Sequence, residues 1–212
     1  MTQKQNIGII NCDFGNLASL INAIRFLKFE YQILEKPSNL KDLTHLILPG
    51  VGSFGESSKK IYKIGWDKAI KDHINSEKPF LGICLGMQLM FERGLENGNE
   101  KGLGLFEGVC EKFKEYPDLS LPHIGFNLVK QESSKIWKDI PLNSPFYFVH
   151  SFRITKNNDL MCDKNKKCST TFYGEEFISF IENQKVFGAQ FHPEKSHKTG
   201  LKLINNFITE VT

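Results

Sequence analysis

The stretch that decides the fold is residues 79–92, PFLGICLGMQLMFE. The apolar run near its start has the composition of a strand buried on both faces. It breaks at a Gly-x-Cys-x-Gly turn around Cys84, and the apolar residues beyond the turn, Leu85, Leu89 and Met90, recur at helical spacing. A strand, a sharp turn with a nucleophilic side chain and then a helix are typical of a nucleophile elbow.

The residue types in this turn fit the chemistry of a reactive thiol. Gly82 and Gly86 leave room in a strained turn where a β-carbon would clash. At the start of a helix, the Cys84 sulfur faces unpaired N–H groups and the positive end of the helix dipole, which favours thiolate over thiol. The N–H of Leu85 can hold a developing oxyanion. The same five residues also fit an ordinary turn around a buried, inert cysteine, so the rest of the chain must decide.

Composition limits the classes of protein that need to be considered. The 212 residues are enough for one domain, and we expect a single domain over residues 1–212. A net charge of +3, from 27 basic and 24 acidic residues, is too small for a nucleic-acid surface. No apolar run reaches the ~18 residues that span a membrane, and MTQKQN lacks the apolar core of a signal peptide.

The five cysteines are an odd set without framework spacing, which indicates free thiols in a reducing cytoplasm. Cys162 and Cys168 flank a lysine-rich turn, but neither a histidine nor a second cysteine pair accompanies them. We therefore expect no metal site.

The first half of the chain alternates strands and helices. The predicted strands are 7–11, 31–35, 45–48 and 80–83. One predicted helix begins after an N-cap at Asn16. Helical spacing returns at about Ser57 and continues to Ile74, with a break near Gly65. The second half is predicted to have strands at 107–113, 124–130, 145–149, 168–173, 177–182 and 185–191, a surface loop at 94–104 and a helix around 201–208. The prediction is an α/β fold: a mostly parallel central sheet, helices on both faces and added antiparallel strands in the C-terminal half.

A glycine-rich loop, PGVGSFG, occupies residues 49–55, directly after the third predicted strand. Its glycines allow backbone N–H groups to approach a ligand closely. Ligands of such sheets bind beyond the carboxyl ends of the strands, which is also where Cys84 is expected. Because no Gly-Lys-Ser/Thr follows, a nucleotide P-loop is not indicated.

Near the C-terminus, residues 190–196 read QFHPEKS after an apolar strand. His192 and Glu194 are two residues apart and project to the same face of an extended chain, with Pro193 fixing the backbone between them. A carboxylate on one ring nitrogen and a thiol on the other give the orienter–base–nucleophile order of a triad. His123 and His150 are weaker candidates for the base, since no carboxylate lies within three residues of either.

Five segments carry a resemblance to a known family: PGVGSFG, GICLGMQLMFE, LPHIGFN, YFVHSF and FGAQFHPEKS. They resemble the class I glutamine amidotransferases, and most of all the glutaminase subunits of imidazole glycerol phosphate synthase in histidine biosynthesis. The resemblance covers residues 7–209. It implies the class I glutaminase α/β fold, a triad of Cys84, His192 and Glu194, and hydrolysis of glutamine to glutamate and ammonia. We expect no cofactor.

The resemblance also implies a substrate site and a partner. Val51 and Gly52 would complete an oxyanion hole with Leu85. The residues expected to hold glutamine are Gly50, Gly52, Gln88, His150 and Ser151. The implied partner is a (β/α)8 cyclase subunit, which forms a heterodimer with the glutaminase and receives its ammonia through a shielded tunnel.

Two segments depart from the family pattern. Asn11-Cys12-Asp13 stands where the family usually has Asp-Tyr-Gly, and Phe126 stands where it usually has tryptophan. Both departures lie outside the triad. They leave open a paralogue that feeds ammonia to a surface-sugar amidotransferase. The other classes to be tested are a cysteine peptidase and a non-catalytic binding protein on a related sheet.

Overall fold

The computed structural model describes residues 5–12, 17–38, 40–155 and 166–211. Its strands are β1 Asn6–Ile10, β2 Glu30–Leu34, β3 His45–Leu48, β4 Phe80–Ile83, β5 Phe91–Gly94, β6 Glu100–Lys101, β7 Phe106–Lys112, β8 His123–Leu128, β9 Pro145–His150, β10 Phe152–Thr155, β11 Lys166–Tyr173, β12 Glu175–Asn183 and β13 Val186–Ala189. Its α-helices are α1 Ala18–Phe26, α2 Phe54–Ile64, α3 Trp66–Asn75, α4 Leu85–Leu89 and α5 His197–Thr209.

The central sheet of the described chain has 11 strands in the order β2-β1-β3-β4-β13-β12-β10-β7-β5-β6, with β11 paired to β12. From β2 to β13 every pair is parallel. Beyond β13 the pairs are antiparallel, except that β5 and β7 are parallel. Strands β8 and β9 form a separate antiparallel pair. The predicted α/β fold with added antiparallel strands is confirmed.

The sheet separates two apolar cores. All four residues of β3 and of β4 are buried, as expected for strands covered on both faces. Residues of α1 and α5 pack in one core, whereas residues of α2, α3 and α4 pack in the other. Helices therefore cover both faces, and the strand ends between them remain available for a site.

The elbow helix α4 is only five residues long. It ends at Leu89, and the chain continues as β5 instead of completing further helical turns. The reason lies 14–16 residues further along. The N–H of Leu103 donates to the Leu89 carbonyl at 2.7 Å, and those of Leu105 and Phe106 donate to Met90 at 2.8 and 3.1 Å. In a longer helix these carbonyls would accept hydrogen bonds from N–H groups of the next helical turn. The same bonds attach part of the predicted 94–104 loop to the end of α4.

Strand β10 was not predicted, because its sequence contains Arg153. This side chain is only 2% exposed. Its guanidinium pairs with Glu175 at 2.8 Å and with Glu111 at 2.9 Å. Two remote carboxylates thus permit a charged residue in a buried strand, which local sequence does not reveal.

Other predicted boundaries agree more closely with the structure. The break near Gly65 is confirmed, because Gly65 adopts φ +91° between α2 and α3. Helix α2 begins at Phe54, earlier than the predicted Ser57. The predicted N-cap Asn16 lies outside the described residues. Within those residues no helix has the length and apolarity to cross a membrane.

The close approach of α4 to β3 generates a stability prediction. A β-carbon on Gly86 would lie 1.8 Å from the carbonyl oxygen of Leu48, a backbone atom that cannot rotate away. We expect Gly86→Ala to lower the free energy of unfolding by about 3 kcal/mol in urea titrations, because the elbow must shift.

Gly104→Ala is the matched control for this substitution. Gly104 has φ +63° and open space within 4 Å, so alanine there has a cost of about 1 kcal/mol from the left-handed backbone alone. Equal effects of the two substitutions would show that the contact with Leu48 is unimportant.

Candidate active site

Cys84 occupies the strained turn between β4 and α4. Its φ of 53° and ψ of −108° lie outside the regions that non-glycine residues prefer, which is the backbone of a nucleophile elbow. The Cys84 N–H donates to the Ala189 carbonyl at 2.7 Å, one step beyond the Ile83–Ala189 pair of β4 and β13. The nucleophile is therefore held directly against the end of the neighbouring strand.

His192 follows β13 by three residues and lies at the same edge of the sheet. Its N–H donates to the Tyr147 carbonyl of β9 at 2.8 Å. The chain then enters a 3₁₀ turn, Pro193–Lys195, with the proline at the first position, where its missing N–H costs nothing. This turn directs the Glu194 carboxylate back towards the His192 ring, and His192 Nδ1 and Glu194 Oε1 are 2.7 Å apart.

The pKa of His192 depends on the Cys84 thiol as well as on Glu194. Burial by itself would lower the pKa of His192, but the Cys84 sulfur and the Glu194 carboxylate raise that pKa to about 10. With Nδ1 facing Glu194, the other ring nitrogen, Nε2, is buried without a hydrogen-bond partner among the described residues. Nε2 is therefore free to exchange a proton with the nearby Cys84 sulfur, whose charge helps to raise the pKa of this imidazole. The predicted triad members are together in the structure.

A cleft of about 220 Å³ opens beside Cys84. Besides Cys84, the predicted site residues that line it are Val51, Gly52, Leu85, Gln88, His150 and Ser151. A larger groove, of about 630 Å³, includes Lys41 and Lys78 near the amino ends of β3 and β4 and contains none of the predicted site residues. The thiol and the glycine-rich loop therefore identify the smaller cleft as the candidate active site.

Gly50 does not line the cleft. It is buried, and its carbonyl oxygen accepts a hydrogen bond from the Leu85 N–H at 3.4 Å. Gly52, two residues later, has φ +116°. One of the predicted oxyanion donors is thus already paired in this structure, with the loop itself.

His123 and His150 form a buried pair of their own. His150 Nδ1–H donates to the Phe152 carbonyl at 2.8 Å, which leaves His150 Nε2 to accept from His123 Nδ1–H at 3.2 Å. Burial lowers the pKa of His150 to about 3 and that of His123 to about 4. Both rings are neutral at physiological pH, and only His150 reaches the cleft.

Two residues of the site were missed by the sequence analysis. Glu96 lines the cleft, and its Oε2 accepts from the Phe54 N–H at the start of α2 at 2.7 Å. Gln190, fully buried, donates from Nε2 to the Cys84 sulfur at 3.7 Å. Gln190 stands in the same segment as His192, so its position was visible in the sequence, whereas its contact with the thiol was not.

Fold and sequence comparisons identify the class of protein. The chain matches the family described as glutamine amidotransferase class-I over residues 9–211. The solved structure of PurLQS from Thermotoga maritima is similar to it with a TM-score of 0.75 and 18% identity, covering 99% of this chain and 100% of that one. At this identity the likeness shows the fold alone.

Closer relatives specify the family within that class. The imidazole glycerol phosphate synthase subunit HisH of Helicobacter hepaticus is 39% identical, over 97% of this chain and 99% of the relative. The chloroplastic imidazole glycerol phosphate synthase hisHF of Arabidopsis thaliana is 36% identical over 98% of this chain, which covers 34% of that longer protein. The chain belongs to the class I glutamine amidotransferases and, within them, to the family of HisH subunits of imidazole glycerol phosphate synthase.

The environments of the thiols generate a labelling prediction. Cys12, Cys110 and Cys168 are buried, and burial raises the pKa of Cys110 well above its ordinary value. Cys84 is also largely buried, but among these four it alone lines the cleft, and its charge helps to raise the pKa of His192. We expect an electrophilic glutamine analogue at neutral pH to modify Cys84 first, as read by peptide mass spectrometry.

Denatured protein provides the control, since all five cysteines should then react at similar rates. Preferential labelling of another cysteine in the folded protein would remove Cys84 from the nucleophile's role. Cys162 is included in the measurement although it lies outside the described residues.

Proposed function

We propose that this chain hydrolyses glutamine to glutamate and ammonia through a Cys84–His192–Glu194 triad and delivers the ammonia to a cyclase that makes imidazole glycerol phosphate. The observation that carries the proposal is the elbow thiol beside a histidine whose second nitrogen is bound by a carboxylate at 2.7 Å. Membership of the HisH family supports the same reaction.

The first half of the reaction forms a thioester. The Cys84 thiolate attacks the carboxamide carbon of glutamine and produces a tetrahedral oxyanion. Because the pKa of His192 is raised to about 10, its imidazolium holds a proton at neutral pH. Nε2 donates this proton to the amide nitrogen, the C–N bond breaks and ammonia leaves.

The second half releases glutamate. His192, now neutral, takes a proton from water, and the hydroxide attacks the thioester carbon. Collapse of the second tetrahedral intermediate breaks the C–S bond and regenerates the Cys84 thiolate with the imidazolium. Glu194 stabilises the charged ring in both halves and holds the tautomer that presents Nε2 to the sulfur.

The walls of the cleft fit a free amino acid. Glu96 has a carboxylate suited to the α-ammonium group of glutamine. Gln88 and the backbone at His150 and Ser151 supply polar groups for the remainder of the substrate. A volume of about 220 Å³ suits one small molecule, which favours glutamine over the peptide substrate of a peptidase.

The proposed oxyanion hole of Val51, Gly52 and Leu85 would be in a resting state with the loop in its present orientation. The Gly50 carbonyl and the Val51 N–H belong to one planar trans peptide and point in opposite directions. While the carbonyl accepts from Leu85, the Val51 N–H is directed away. One rotation of this peptide, through ψ of Gly50 and φ of Val51, would release the Leu85 N–H and bring the Val51 N–H to the same side, and Gly50 has no β-carbon to oppose it.

An exposed apolar face lies next to the cleft and fits a partner. Ile124, Phe126 and Leu128 alternate along the outer side of β8 and are 60%, 49% and 56% exposed. Ile124 pairs with Val149 of β9, and Val149 is one of the residues that line the cleft. We infer that the (β/α)8 cyclase docks on this face, so that ammonia passes into the partner and not into solvent.

The alternative functions receive less support. The departure at Phe126 lies on the proposed docking face, where it adjusts contact with a partner and leaves the triad unchanged. Relatives named HisH favour the histidine-pathway cyclase over a sugar amidotransferase. A purely binding protein would need neither the paired His192 and Glu194 nor the strained Cys84.

The triad generates the first functional prediction. Measured as glutamine hydrolysis with the cyclase present, His192→Ala should lower kcat on the order of 10⁵-fold, because proton transfer and the ion pair are both lost. Glu194→Gln should lower kcat roughly 10³–10⁴-fold, since an amide can orient the ring but cannot stabilise its charge.

Glu210→Gln serves as the control, because it neutralises a carboxylate that pairs with Lys138 at the surface. It should retain wild-type turnover. Unchanged turnover in Glu194→Gln would exclude Glu194 from the mechanism, and cleavage of peptides without ammonia release from glutamine would refute the proposed reaction.

The docking face generates the second functional prediction. Phe126→Ser should weaken binding of the histidine-pathway cyclase about tenfold or more in calorimetric titration, since it removes an aromatic contact from an interface. It should also reduce the rise in glutamine hydrolysis that the cyclase and an acceptor analogue together produce. Phe26→Ser, at an aromatic residue on α1 that is 72% exposed against 49% for Phe126, should alter neither quantity.

Equal hydrolysis by the chain alone, with the cyclase, and with cyclase plus acceptor analogue would contradict the gating of the Gly50–Val51 peptide. Unaltered cyclase affinity in Phe126→Ser would place the partner on another face. Neither result would affect the triad.

A further inference from the structure

Two buried carboxamides connect the nucleophile to the backbone of β10. Gln190 is 0% exposed and Gln88 is 4% exposed. Gln88 Nε2 donates to the Phe152 carbonyl at 3.0 Å and to Gln190 Oε1 at 3.1 Å. Gln190 Nε2 in turn donates to the Cys84 sulfur at 3.7 Å.

The donor-to-acceptor direction of this series of hydrogen bonds is determined by the Phe152 carbonyl, which can only accept hydrogen bonds. The Gln88 atom that faces it must therefore be the nitrogen. Its second hydrogen points to Gln190, so the Gln190 atom that receives it must be the oxygen. The nitrogen of Gln190 is consequently the atom that faces Cys84, and the usual ambiguity of amide orientation does not arise.

The backbone of Gln190 is also held in place. Its N–H donates to the Ser179 carbonyl of β12 at 2.9 Å. The side chain therefore extends towards the sulfur from a strand end that is already paired. A neutral N–H donor held in this way stabilises a thiolate more than a thiol, because a hydrogen bond to the charged form is the stronger one.

We propose that Gln190 is a positioning residue of this site: it donates a hydrogen bond to the Cys84 sulfur that holds the thiolate beside His192. Gln88 acts with it as one unit by fixing the orientation of its carboxamide. The proposal rests on the proposed nucleophilic role of Cys84 and adds a second group that supports the charged sulfur.

The same geometry restricts how Gln88 can contact a substrate. Both hydrogens of its Nε2 are directed at protein oxygens, so Oε1 is the polar atom of Gln88 left for a molecule in the cleft. Gln88 therefore accepts a hydrogen bond, and its ligand must donate one. A carboxamide NH₂ or an ammonium group meets this requirement, whereas a carboxylate does not.

The test measures the rate of Cys84 alkylation by iodoacetamide between pH 5 and 10 together with glutamine turnover. Gln190→Glu keeps an oxygen for Gln88 but presents an acceptor to the sulfur, and Gln190→Met removes both bonds. We expect the pH midpoint of alkylation to rise by roughly one unit or more and kcat to fall roughly tenfold to a hundredfold. Gln190→Glu should show the larger rise in midpoint.

Asn206→Leu is the matched control. Asn206 is likewise 0% exposed and donates to the Ile136 and Lys138 carbonyls, remote from the thiol. Its loss should reduce the unfolding temperature while the alkylation midpoint stays at the wild-type value. A wild-type midpoint in folded Gln190→Glu and Gln190→Met would overturn the proposal.

A measurement on wild-type protein covers the case in which these variants do not fold. The side-chain NH₂ resonances of Gln190 should move with pH as Cys84 titrates and stop moving once Cys84 is alkylated. Resonances that ignore both changes would refute the contact. If wild-type Cys84 is not the thiol that reacts, the proposed function itself fails, and that outcome is distinct from failure at Gln190.

Discussion

The parallel pairing of β4 with β13 is the constraint on which the candidate site depends. Ile83 lies opposite Ala189, and the Cys84 N–H continues the ladder by donating to the Ala189 carbonyl. The nucleophile thus follows one strand directly while the base follows its neighbour by three residues. A slip of one residue in this register would turn the side chains to the other face and separate the thiol from the imidazole.

The parts of the fold that were predictable are those that local sequence determines. Buried parallel strands show as short apolar runs, and the glycines around Cys84 mark a turn that no larger residue fits. The end of α4 and the presence of β10 were not predictable. The first depends on N–H groups of residues 103–106, and the second depends on carboxylates far from Arg153 in the chain.

The residues of the candidate site fall into the same two groups, those that local sequence predicts and those that depend on distant contacts. Cys84, His192 and Glu194 could be named because each residue type matches a step of the chemistry and the His–Pro–Glu spacing is local. The direction of the Gly50 carbonyl, the pairing of His123 with His150 and the approach of Gln190 to the sulfur could not, since each is set by a contact between distant segments. Sequence reasoning therefore identifies the reacting groups better than the groups that orient them.

The Phe152 carbonyl accepts from both Gln88 and His150, so it determines the direction of two hydrogen-bond chains. A main-chain oxygen is not encoded by any particular codon. Mutation at position 152 exchanges a side chain and leaves this acceptor in place. Only chemical synthesis, with an ester in place of the amide between residues 152 and 153, would weaken it directly. Natural variation can alter this part of the site by moving the strand, and not by deleting the oxygen.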